Sequence, residues 1–60
     1  MWKLINEEDR DLWIEWDYTF DTYGEAVKEM KETGPVHCII TNGSESHEFF
    51  KQEDDRYFRV

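Results

Sequence analysis

Sixty residues carrying fifteen acids against seven bases, net −8, disfavour direct binding to nucleic acid or to an anionic membrane, because like charges repel. A single cysteine, Cys38, excludes an internal disulfide, and a chain this short buries only about 60% of the surface it exposes when unfolded. Dense packing of three Trp, three Tyr and four Phe, together with self-association, is the remaining means of stabilising what reads as one domain over residues 1–60.

Taken in chain order, residues 2–5 begin a short strand, with Trp2 and Leu4 on one face and Lys3 and Ile5 on the other. Residues 7–11 carry too much like charge to pair well and read as a loop. "DLWIEWDYTF" follows, with strict alternation: Leu12, Ile14, Trp16, Tyr18 and Phe20 at even positions, and mostly carboxylates at odd ones. Period two over this length predicts a strand whose even face is buried and whose odd face meets water.

The period then changes. Thr22 followed by Glu25 has the spacing of a capping box, and Tyr23, Ala26, Val27 and Met30 form one apolar stripe at helical spacing. Gly34 and Pro35 end the helix, since glycine accepts the left-handed cap and proline cannot continue. "VHCIIT" predicts a third strand with Val36, Cys38 and Ile40 on one face. Asn42-Gly43 marks a hairpin turn. A two-residue loop there sets Cys38 across from His47, and a four-residue loop sets it across from Phe49. "HEFFK" and "RYFRV" complete a β-β-α-β-β-β order: an α+β, two-layer domain with an antiparallel sheet of four to five strands and one helix on one face.

Catalytic and metal chemistry find little support. His37 and Cys38 are strand neighbours, so their side chains point to opposite faces and at most one can join His47, too few for a tetrahedral site. No third group orients a Cys38–His47 dyad, and carboxylates on a solvated strand face lack the apolar niche that acid–base work needs. The three glycines are too scattered to cradle a phosphate. Arg56 and Arg59 read as neutralising acids across the sheet. The expectation is a non-enzymatic protein with neither cofactor nor metal.

The acidic face carries the functional expectation. Residues 7–21 hold seven acids and one base, net −6, and Trp13 stands in the middle of the odd face, where a solubility device would place a polar residue. A large aromatic amid charges has the composition of a binding hot spot, unless a partner protomer or a C-terminal residue such as Tyr57 covers it. The expected docking residues are Glu7, Glu8, Asp9, Asp11, Trp13, Glu15, Asp17 and Asp21, and the natural complement is a basic, nucleic-acid-binding protein. In size and charge the chain resembles the small phage-encoded inhibitors that mimic DNA, such as anti-CRISPR proteins, anti-restriction proteins and uracil-DNA glycosylase inhibitors. That resemblance implies an inhibitor acting in the host cytoplasm. The alternative is an assembly subunit, a homodimer or an antitoxin-like neutraliser that binds through an aromatic patch.

Overall fold

The computed structural model describes residues 1–9 and 12–60, the side chains of Glu8 and Asp9 lying outside that description. Five strands and one helix follow one another as β1 (Trp2–Asp9), β2 (Leu12–Phe20), α1 (Tyr23–Thr33), β3 (His37–Thr41), β4 (Ser46–Lys51) and β5 (Tyr57–Arg59). The strands form one antiparallel sheet in the order β2-β1-β3-β4-β5. The expected α+β architecture with one helix on one face is the observed one. Strands β2 and β3 both pair with β1, so α1 carries the chain across β1 from one flank to the other.

Local chemistry accounts for the helix ends. The Thr22 hydroxyl accepts a hydrogen bond from the Glu25 N–H at 3.1 Å, satisfying one donor of the first turn. At the other end Gly34 adopts φ 74° and donates its N–H to the Met30 carbonyl at 2.9 Å, a left-handed cap that glycine reaches without Cβ strain. Ala26 and Met30 from the helical stripe are fully buried, with Tyr23 and Val27 packed at their margin. They meet Leu4, Phe20, Cys38, Ile40 and Phe49 from the sheet, and this set is the core.

Four expectations need correction. Residues 7–9 extend β1 rather than forming a loop. Glu7 lies opposite Trp13 and Asp9 opposite Leu12, so at these two positions the ladder sets an apolar residue, not a second acid, across from the acid. The even face of β2 is also less buried than its alternation implies. Phe20 is buried and Trp16 half-buried, but Leu12, Ile14 and Tyr18 are 54%, 44% and 47% exposed. β2 is an edge strand, and a helix of 11 residues, about 16 Å at 1.5 Å per residue, is too short to cover it all. Val36 precedes β3 and is exposed instead of sharing the face of Cys38 and Ile40. Arg56 pairs with Asp54 in its own turn at 3.3 Å, and Arg59 lies opposite Phe49, so neither neutralises an acid across the sheet.

The β3–β4 loop has four residues, Asn42 to Glu45, and Cys38 therefore faces Phe49. The Asn42 side-chain oxygen accepts from the N–H groups of Ser44 and Glu45 at 2.9 and 2.7 Å, which stabilises the longer turn over a two-residue one.

Candidate functional site

With the helix on one side, the other side of the sheet carries no second layer among the described residues. The pairing registers lay out this open face row by row. One row crosses all five strands as Trp13, Glu7, His37, Phe50 and Phe58, the step from Glu7 to His37 being a side-chain contact just past the last paired residues of β1 and β3. The next runs Glu15, Ile5, Ile39 and Glu48, and the third runs Thr19, Lys3, Thr41 and Ser46. The face thus grades from an aromatic end through an aliphatic, carboxylate-bearing middle to a polar end.

His37 is the hub of the aromatic row. Its ring stacks on Phe50 with centroids 3.9 Å apart and planes 14° apart, and Trp13 meets it edge-on at 4.8 Å. Phe50 in turn stacks on Phe58 at 5.8 Å. Offset-stacked and edge-to-face arrangements match the quadrupoles of aromatic rings. Both imidazole nitrogens face carboxylates: Nδ1 lies 3.5 Å from Glu7, and Nε2 hydrogen-bonds Glu48. The imidazole is mostly buried by these neighbours, whereas Trp13 and Phe58 at the two ends remain 36% and 46% exposed. Rings supported from within and open at the ends form a rigid contact area with little side-chain entropy left to lose on binding.

The expected docking residues distribute as follows. Glu7, Trp13 and Glu15 come together on the open face, Glu15 holding the Lys3 ammonium at 3.5 Å. Trp13 is covered on one side by His37; Tyr57 lies on the helix side, where its hydroxyl donates to the Pro35 carbonyl. Asp17 is exposed at the outer edge of β2, and Asp21 is exposed just past the strand end. Glu8 and Asp9 lie within β1, with side chains outside the described residues; Asp11 lies outside them altogether.

Sequence reasoning missed His37, Glu48, Phe50 and Phe58. The signal was present: if Cys38 and Ile40 face the core, alternation sends His37 and Ile39 the other way, and the partner strand must answer with Glu48 and Phe50.

The helix side holds the remaining candidate chemistry. Trp2, Tyr23 and His47 cluster near the helix N-terminus, with Tyr23 at 5.1 Å from Trp2 and 4.9 Å from His47. Cys38 is fully buried, and this burial pushes its thiol up to about 11, so it is a packing residue rather than a nucleophile at neutral pH.

The chain matches no protein-family model, no curated protein and no solved structure.

Proposed function

We propose that the chain is a non-enzymatic docking module that seats the open face of its sheet on a basic protein surface of the kind used to hold nucleic acid, and so inhibits that surface as a DNA mimic. One observation carries the reading: an aromatic row with exposed ends, Trp13 to Phe58, lies on a helix-free sheet face bearing Glu7, Glu15 and Glu48, in a chain of net charge −8. Carboxylates along a strand recur about every 6.7 Å, and those on neighbouring strands are separated by about 4.8 Å. The open-face carboxylates stand on three different strands, Glu7 on β1, Glu15 on β2 and Glu48 on β4, so they spread negative charge across the face instead of along one strand. Long-range attraction then steers association, and the rings supply the desolvated centre of the contact.

The test begins with a basic nucleic-acid-binding protein captured by this chain at low salt. A short DNA duplex should displace the chain, and affinity should fall steeply between low and physiological ionic strength. Trp13→Ala and Glu15→Lys should each weaken binding by an order of magnitude or so while the far-UV spectrum stays unchanged. Salt-independent binding that both variants leave intact would sink the proposal. Self-association of the chain through the same face, detected by sedimentation and abolished by Trp13→Ala, would favour the assembly-subunit reading instead.

A further inference from the structure

Along the outer edge of β2, sharing Glu15 with the open face, lies a groove of about 430 Å³ lined by Ile14, Glu15, Trp16, Asp17, Tyr18 and Thr33. We propose that this groove receives an arginine side chain projecting from the basic partner. The inference rests on the docking-module reading and names the contact by which such a partner is held.

A bulge forms the groove. Trp16, Asp17 and Tyr18 lie between Glu15 and Thr19 on β2, where β1 supplies only Leu4 between Ile5 and Lys3. The surplus residues interrupt the ladder, and the carboxylates of Glu15 and Asp17 and the rings of Trp16 and Tyr18 line one concavity. Its walls are held in place. Trp16 packs against the core and lies 5.6 Å from Tyr18, which meets the buried Phe20 edge-on at 5.4 Å. The Tyr18 hydroxyl donates to Glu29 of the helix at 3.3 Å, and desolvation followed by the Glu29 charge raises its pKa, so it stays a donor.

The chemistry of the lining selects the occupant. Indole and phenol rings attract a cation over their faces, and Ile14 offers apolar surface for a methylene stem. Asp17 has no cation within ion-pair distance among the described residues, so a carboxylate stands available where a guanidinium head would arrive. Arginine fits better than lysine because its planar, weakly hydrated head can stack on a ring and fork onto a carboxylate together. A second copy of this chain is disfavoured, since pairing β2 with β2 would bring two copies of the same acidic strand together.

Hexa-arginine and hexa-lysine peptides, titrated into the isotope-labelled chain at low salt and followed by NMR, provide the test. Support consists of the largest shifts at Ile14 to Tyr18 and Thr33, with hexa-arginine bound at least about threefold tighter than hexa-lysine. Tyr18→Ala and Asp17→Asn should each weaken hexa-arginine binding about fivefold. Thr33→Arg, which places the chain's own guanidinium beside the groove from an exposed helix end, should suppress the groove shifts without disturbing the core. The proposal is overturned by shifts spread over all exposed acids including Glu53, Asp54 and Asp55, by equal affinity for the two peptides, or by no shifts at all. Shifts confined to Trp13, Glu7, His37 and Phe58 would overturn the groove while leaving the open-face reading standing. Groove shifts in a chain whose partner binding survives Trp13→Ala would do the reverse.

Discussion

The two faces of this sheet use the same five strands differently. Beneath the helix, Leu4, Cys38 and Ile40 are completely buried among Ala26 and Met30, and no charged side chain enters among the described residues. On the opposite face the rows are ordered by aromatic stacking and by carboxylates set on one imidazole, and the ring at each end stays in water. Covered apolar area dominates folding, whereas a face only half removed from water contributes less to stability and leaves more of its apolar surface in water. The covered core and the half-exposed aromatic face thus lie on opposite sides of one layer.

Substitution can break this division where it is strongest. Met30→Ala should cost about 2–5 kcal/mol, enough to leave so small a domain largely unfolded at room temperature, and denaturant titration measures it. On the open face, His37→Ala removes the ring that Trp13 and Phe50 share and leaves Glu7 and Glu48 without their common partner. A loss of about 1–3 kcal/mol is expected, below that of Met30→Ala. A greater loss than for Met30→Ala would show that the open face, not the helix side, is the main core.

Two smaller effects sharpen the contrast on the helix side. Thr22→Ala deletes the helix cap and should cost about 1 kcal/mol. Cys38 reports through pH. A thiol whose pKa rises from 9.0 in the unfolded chain to about 11 when folded contributes its full stability below pH 9 and loses it as pH rises through about 11. Melting temperature should therefore fall across that window, less so in Cys38→Ala, and alkylation of the folded protein at pH 8 should be slow until denaturant is added. The smallest effect belongs to the exposed end of the aromatic row, where Phe58→Ser should shift stability by only about 0.5 kcal/mol or less.

The helix was legible almost to the residue because its signals are local: a hydroxyl before the first turn, a 3.6-residue stripe and a glycine in left-handed conformation. The strands β3, β4 and β5 were legible from alternation and turn residues. The candidate site was read only in part. Trp13 and Glu15 were found because they interrupt or decorate a conspicuous pattern, but His37, Glu48 and Phe50 join them only through pairings between residues distant in sequence. The loop reading of residues 7–9 failed because charge density was weighed along the chain, while the repulsion that matters depends on which residue lies across the ladder.

Periodicity and capping chemistry thus determined by themselves which segments become strands and which becomes the helix, since these depend on neighbours a few residues away. Tertiary structure alone decided the strand order, the bulge that opens the groove, and which side of the sheet the helix covers. Alternation marks two faces on every strand without saying which will be covered. Only the crossing of α1 over β1 made that choice, turning the most regular strand in the chain into an exposed edge.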